Sequence, residues 1–321
     1  MNKPENVKKL IRGIEGPVVA MTTSFNKDMS IDFEGLKTLT DYYADKGIKN
    51  VIAAGSTGEF FSLTDEERKQ VIKTVTEQSA GRMTVIGCAA HSGTQLTIDL
   101  AKYCQDIGCD AVMVTPPYYS FSDFEGLKKH YQMISDAIDI GIVVYFSGSV
   151  LRFPAIQKLI GENWSCPSEI LELASIPQVC CIKDASGNYG WYRDISMRLD
   201  GENEIANIIG SDGMGYHFWG HNYGSRSFIT GIGNMWPEVE LDFFDKLKSG
   251  KTGEALQIIK DKEISYLRAT KETGKYWSCV KYLLNEMGLP GGYMRPPLLD
   301  LNDLEKKSVK EVVISSGLLK K

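Results

Sequence analysis

In the stretch Val179-Cys180-Cys181-Ile182-Lys183-Asp184-Ala185-Ser186, a lysine closes a run of four apolar residues. A short apolar run ended by turn residues reads as a strand buried on both faces. Lysine enters such a place only when it is paired or used chemically. Burial disfavours the ammonium form of an amine. A neutral amine at the mouth of an apolar strand attacks carbonyl carbon and forms a Schiff base. The plainer reading is a lysine that snorkels from a strand end, with Asp184 as a solvated neighbour. From this stretch alone the two readings weigh equally.

The elements that would hold such a lysine are legible along the chain. Apolar runs fall at Val18–Met21, Val51–Ala54, Val85–Ala90, Ala111–Val114, Ile142–Phe146, Val179–Ile182, Ile205–Ile209 and Phe228–Ile232. Between them Leu96, Leu100, Tyr103 and Ile107 recur at helical spacing, as do Phe124, Leu127, Tyr131, Ile134 and Ile138. Thr64-Asp65-Glu66-Glu67 and Ser122-Asp123-Phe124-Glu125 are capping-box patterns, and Pro154 suits a first helical turn. Eight β-α repeats predict an α/β protein, a (β/α)8 TIM barrel. A doubly wound sheet is the alternative, but no GxGxxG follows the first strand. The reading assigns residues 1–237 to the catalytic barrel. Residues 238–321 become its last helix and a C-terminal helical extension, taken as a structural or oligomer-forming appendage. Phe153–Ile160 and Cys166–Ile176, between Tyr145 and Lys183, suffice for two helices and read as surface decoration.

Bulk properties narrow the function. The 321 residues carry a formal charge of −5 without a basic stripe, so neither nucleic acid nor an anionic membrane is an expected partner. No apolar run nears the roughly 20 residues of a membrane span, and the charged start lacks a signal-peptide core. The seven cysteines form no CxxC pair and read as reduced thiols of a cytoplasmic protein.

In a barrel of this kind the chemistry sits where strands end. After the second apolar run comes Gly55-Ser56-Thr57-Gly58-Glu59, whose glycines and hydroxyls suit a small carboxylate; a tight turn is the plainer reading. The fourth run leads into Thr115-Pro116-Pro117-Tyr118-Tyr119 and the fifth ends in Val144-Tyr145-Phe146. Phenols there relay protons near a Schiff base, although single tyrosines more often pack. Gly210-Ser211-Asp212 and Gly231-Ile232-Gly233-Asn234 follow the last two runs and leave room for a ligand.

Together these residues resemble the family of dihydrodipicolinate synthase and N-acetylneuraminate lyase, the class I aldolase-type Schiff-base lyases. The motifs that carry the resemblance are Gly55–Glu59 with Leu63-Thr64 and Glu67-Arg68, then Tyr145, then Ile182-Lys183-Asp184. The resemblance implies that Lys183 condenses with the 2-oxo group of pyruvate or a larger 2-oxo acid. It implies that Tyr145 shuttles protons and that Ser56 and Thr57, beside Gly55, hold the substrate carboxylate, with Thr57 also in the relay. Tyr119 matches a relay tyrosine often borrowed across a subunit contact, so a homotetramer is the implied assembly. The covalent imine on Lys183 replaces a metal, and no cofactor is implied. Gly210, Ser211, Asp212 and Ser147 are candidates for the far end of the substrate.

Within the family the signals are mixed. Ala53-Ala54-Gly55, Gly58-Glu59-Phe60-Phe61-Ser62-Leu63 and Arg295-Pro296-Pro297-Leu298 resemble the 5-dehydro-4-deoxyglucarate dehydratase branch. That branch, however, carries Asn and then Arg just after the tyrosine, where this chain has Phe146-Ser147-Gly148-Ser149. The arginine with which the synthases hold a second carboxylate corresponds here to Val150. A sugar-derived 2-oxo acid is therefore the first reading, and condensation of pyruvate with aspartate semialdehyde or an N-acetylneuraminate lyase-like cleavage the alternatives. A 2-oxo-acid-binding protein without turnover is the alternative of another class. His217 and His221 share a helix face but lack an HExxH glutamate, which favours packing over a metal site. His91 follows the third run and could touch substrate. Arg226 could supply the missing charge, although an ion-pair role at its strand's far end is the stronger expectation.

Overall fold

The computed structural model describes residues 3–120, 123–147, 168–202, 205–210 and 212–320. Eight strands close into a parallel barrel in chain order: β1 (Gly16–Ala20), β2 (Asn50–Ala53), β3 (Thr84–Cys88), β4 (Ala111–Val114), β5 (Gly141–Ser147), β6 (Val179–Ala185), β7 (Ala206–Ile209) and β8 (Ser227–Phe228). Every residue of β1, β2, β4, β7 and β8 is buried, as parallel strands covered on both faces require. The eighth strand is shorter than its apolar run. Gly231, at φ +93°, turns the chain into a 3-10 turn at Ile232–Asn234 before pairing can extend.

Helices alternate with the strands, and four lie beyond the one that follows β8 (Pro237–Lys248): Thr252–Ile258, Ile264–Thr273, Tyr276–Glu286 and Asp303–Ser315. The first two are joined by a π-helical stretch, Ile259–Glu263. No helix among the described residues is long and apolar enough to cross a membrane. An additional helix, Glu5–Gly13, precedes β1 and buries Val7 and Ile11; its charged outer face hides it from a reading of apolar runs. Thr64 and Glu67 form both bonds of the predicted capping box. At Phe124–Ser135 the cap is Asp123, accepting from the Gly126 N–H at 2.8 Å, and Ser122 lies outside the described residues. So do the Phe153–Ile160 segment and Pro154, whereas Cys166–Ile176 contains the helix Ser168–Ala174.

The chain forms two compact units, one of residues 1–16 and 84–228, the other of residues 17–83 and 229–321. In the first, β5 and β6 carry an irregularity that decides the chemistry. Ile142 pairs with Val179, but Val143 pairs with Cys181, so Cys180 is an extra residue on β6. Without this bulge the same register would place Ile182, not Lys183, beside Tyr145. A one-residue slip sends a side chain to the other face of a sheet. Gly141 makes room for the bulge. A Cβ there would overlap a Leu10 methyl and come within 2.8 Å of the Cys180 sulfur.

Gly141→Ala should therefore overpack this corner and lower the unfolding free energy by about 1–3 kcal/mol, the usual cost of forcing a methyl into a filled core. Denaturant unfolding of the two proteins measures it, and equal midpoints would mean that Leu10 yields freely.

Candidate active site

β6 runs past its apolar residues to Ala185, so Lys183 lies within the strand. Parallel pairing sets Tyr145 beside Lys183 and Phe146 beside Asp184. Tyr145 and Lys183 are each 7% exposed, and the Lys183 Nζ stands 3.3 Å from the centroid of the Tyr145 ring. The phenol thus turns its electron-rich face to the amine. Gly210 follows β7, the strand on the other side of Lys183. A Cβ at Gly210 would sit 3.6 Å from Nζ and 3.1 Å from the Ala185 Cβ, so its absence clears space beside the amine. The Gly210 N–H donates to the Asp184 carbonyl at 2.7 Å, which holds the two strand ends together.

Asp184, the next residue, projects from the opposite face of β6. It is 1% exposed, and its carboxylate accepts from the Ser186 N–H at 2.7 Å. Burial raises the carboxyl to about 7, while the Ser186 hydrogen bonds and Lys183 pull it down. Asp184 is therefore a buried group rather than the solvated neighbour of the plainer reading. Farther along this side, Ser225 links the Tyr192 hydroxyl to the His217 Nδ1. His217 is fully buried with its ring 4.9 Å from Phe228, and burial lowers its pKa to about 3.

The remaining candidates of this unit are dispersed. Tyr119 is 87% exposed. Ser147 closes β5 in register with Ala185. Asp212 stands at the start of the helix Gly213–Gly220, and Ser211 lies outside the described residues. His91 accepts from the neighbouring Ser92 N–H at 2.8 Å, a local turn. Arg226 precedes β8, at the end opposite Phe228. Its guanidinium donates to the Arg12 carbonyl at 3.2 Å and its own carbonyl accepts from Gly16. It thus caps the N-terminal helix, at the barrel end away from Phe228.

The predicted carboxylate loop, Gly55–Glu59, belongs to the second unit. Ala54 (φ 51°) and Glu59 (φ 56°) flank it in the left-handed region, which non-glycine residues rarely occupy. Gly58 sits tightly against its neighbours: a Cβ would lie 3.0 Å from the Met21 carbonyl, and Thr23 donates to the Gly58 carbonyl at 2.7 Å. Thr57 is buried and Ser56 half-buried. Two residues of the C-terminal helix Tyr276–Glu286 meet this loop and escaped the sequence reading. Trp277 donates its indole N–H to the Ser56 carbonyl at 2.7 Å, and Lys281 pairs with Glu59 at 2.5 Å. The available signal was a lysine among Cys279, Val280, Leu283 and Leu284, the same signal that marked Lys183.

The pattern of the dihydrodipicolinate synthetase family matches residues 13–315. A 4-hydroxy-tetrahydrodipicolinate synthase of Methanosphaera stadtmanae is 27% identical over 313 residues, covering 95% of this chain and 99% of that one. The enzyme of the same name from Clostridium novyi is 30% identical over 293 residues, covering 91% and 93%. Among solved structures, a prophage protein of the dihydrodipicolinic acid synthase family from E. coli, in complex with pyruvate, superposes with a TM-score of 0.86. It is 20% identical, with 95% of this chain and 99% of that chain covered, a likeness of fold.

The buried Asp184 carries a pH signature. Its carboxyl, raised from 3.8 to about 7, keeps in the folded state a proton that the unfolded chain has released. The stability this contributes is fully present below about pH 4 and is lost as pH rises through about 7. In Asp184→Asn that loss is absent. Denaturant unfolding at pH 4, 6 and 8 should show the variant gaining on wild type with pH, by on the order of a few kcal/mol at the top. A constant difference across this range would show that Asp184 is already ionised when folded.

Proposed function

The chain belongs to the dihydrodipicolinate synthetase family, and from that premise we propose that this lyase condenses Lys183 with pyruvate and adds the resulting enamine to aspartate semialdehyde. The observation that carries the proposal is the register of β5 and β6, with the Lys183 Nζ over the Tyr145 ring. The amine adds to C2 of the 2-oxo acid, and loss of water leaves an iminium. Its positive nitrogen draws electrons from C2, so a proton leaves C3 and an enamine forms. The enamine carbon then bonds to the aldehyde carbon, whose oxygen takes up a proton, and addition of water or of the substrate's own amine to the restored iminium expels Lys183 as the free amine. The electron-rich face of Tyr145 steadies the cationic nitrogen, and its hydroxyl passes protons to and from the adduct. Thr57 continues that relay, and Ser56, Thr57 and Gly55 hold the carboxylate. Tyr119, exposed in a single chain, suits service to a neighbouring copy. The iminium supplies the electron withdrawal that a metal supplies in other aldolases.

The names of the curated relatives support the synthase reaction over the sugar-acid reading that the residues alone put first. One observation keeps the second reading. The stretch after Tyr145, Phe146-Ser147-Gly148-Ser149-Val150, carries no charge. Leaving a buried carboxylate without a cation costs a few kcal/mol, and about 1.4 kcal/mol is tenfold in affinity. A polyhydroxylated 2-oxo acid such as 5-dehydro-4-deoxyglucarate would instead use hydroxyl partners, with Ser147, Gly210, Ser211 and Asp212 the candidates.

Pyruvate with borohydride should add a stable mass to the peptide that contains Lys183, and Lys183→Ala should take no label while keeping its thermal midpoint. Label on a different lysine, read by peptide mass spectrometry, would remove the mechanism. The substrate follows from turnover of pyruvate with aspartate semialdehyde compared with a panel of sugar-derived 2-oxo acids. The synthase reaction should have the larger kcat/KM; the reverse order would establish the sugar-acid reading.

A further inference from the structure

The loop Gly55–Glu59 does not hold its own shape. Two non-glycine residues in the left-handed region bracket it, and each such residue costs about 1–2 kcal/mol. Its internal bonds are few: the Glu59 N–H reaches the Ser56 carbonyl at 3.1 Å, and the Phe60 N–H the Gly55 carbonyl at 3.2 Å. Thr23 donates to the Gly58 carbonyl within the loop, and its two ends are met from more than 200 positions away, by one face of the helix Tyr276–Glu286.

Trp277 and Lys281 stand one turn apart there. The Trp277 indole N–H gives the Ser56 carbonyl a second donor at 2.7 Å, and the Trp277 ring meets Phe61 edge-on at 5.8 Å. Lys281 reaches the other end of the loop. Its side chain is 2% exposed and that of Glu59 not at all, with 2.5 Å between Nζ and Oε1. The same ammonium donates to the Tyr293 carbonyl at 2.7 Å and lies over the Phe25 ring. A buried ion pair adds little net stability over an apolar pair, but breaking it leaves an uncompensated charge, so it specifies one arrangement. Tyr276 extends the contact: its hydroxyl fills the place where a Cβ on Gly231 would stand. The helix thus anchors the carboxylate loop at both ends and touches the turn after β8 as well.

We infer that Trp277 and Lys281 are positioning residues for substrate-carboxylate recognition, setting the Ser56–Thr57 hydroxyl pair through the Ser56 carbonyl and the Glu59 carboxylate. The inference rests on the proposed function, in which that pair holds the carboxylate of the 2-oxo acid. It makes the helix Tyr276–Glu286 part of what positions the site. It also predicts a selective effect, since the amine of Lys183 and its strand are untouched by these contacts. Loosening the loop should weaken a ligand that needs the hydroxyl pair and spare one that does not.

The test compares pyruvate with pyruvamide, its uncharged analogue, by borohydride trapping on Lys183 across a range of concentrations. Trp277→Phe keeps an aromatic ring against Phe61 and removes one N–H. Glu59→Gln/Lys281→Met removes both charges of the pair and leaves neither unpaired. In each variant the half-saturating pyruvate concentration should rise about five- to tenfold, the effect of one lost hydrogen bond. The value for pyruvamide and the maximal trapping rate should change less than about twofold, within the margin of a small contact change. A merely structural role would move both ketones together or only the thermal midpoint. If wild type is labelled and the pyruvate-to-pyruvamide ratio is unshifted in both variants, the positioning role is wrong. If wild type takes no label from pyruvate, the proposed function falls and this role with it.

Discussion

A parallel strand covered on both faces offers polar side chains little room except where it ends, and this constraint places the chemistry of the protein. β4 and β7 are buried along their whole length and carry almost nothing that titrates. β5 and β6 run on to Ser147 and Ala185, and their last residues include a phenol, an amine and a carboxyl within one short stretch of pairing. Alternation then divides them. Tyr145 and Lys183 share one face, and Asp184 takes the other, where burial raises its carboxyl to about 7. The bulge at Cys180 decides which residue joins which face. It depends in turn on Gly141 having no side chain and on the Cys180 thiol, which donates to the Ile142 carbonyl at 3.3 Å.

In the second unit charged side chains pair across long stretches of sequence, half-buried at Arg295–Glu67 and fully buried at Lys281–Glu59. Arg295 shows how the motifs that carry the family resemblance support one another. Its guanidinium grips Glu67 with two nitrogens at 2.7 and 2.8 Å and also donates to the Met29 and Ser62 carbonyls. Glu67 in turn accepts from the Thr64 N–H, so a single carboxylate serves both the capping box and the C-terminal segment. The Arg295 hydrogen bonds hold that carboxyl below its usual range. Glu59 responds oppositely: burial raises its pKa, and Lys281 and Arg295 oppose the shift. An exposed pair of the same residues would contribute little; pairs kept from water fix geometry, because any other arrangement strands a charge.

The polar residues also explain the helices that border the site. Asn188 starts one of them by accepting from the Trp191 N–H at 3.1 Å, so the chain leaving Lys183 turns back at once. Trp191 then packs edge-on against Phe146, the neighbour of Tyr145, at 6.0 Å. The residues nearest the amine are therefore braced by side chains that themselves take no part in chemistry, which is how a reactive group keeps one geometry.

The sequence by itself determined the alternation of strands and helices, because burial on both faces demands continuous apolar runs and those runs are visible without coordinates. It marked Lys183 for the same reason, as a charge at the end of such a run, and Tyr145 and Gly55–Glu59 by their places after two others. It could not reveal the register of β5 against β6, since a bulge leaves composition and periodicity unchanged while moving every later side chain by one pair. Nor could it show that Arg226 faces the N-terminal helix or that Asp184 is buried, because strand direction and covering helices decide both. Lys281 escaped although it lies among apolar residues as Lys183 does. Its partner Glu59 is more than 200 positions away, and contacts of that separation exist only once the chain has folded.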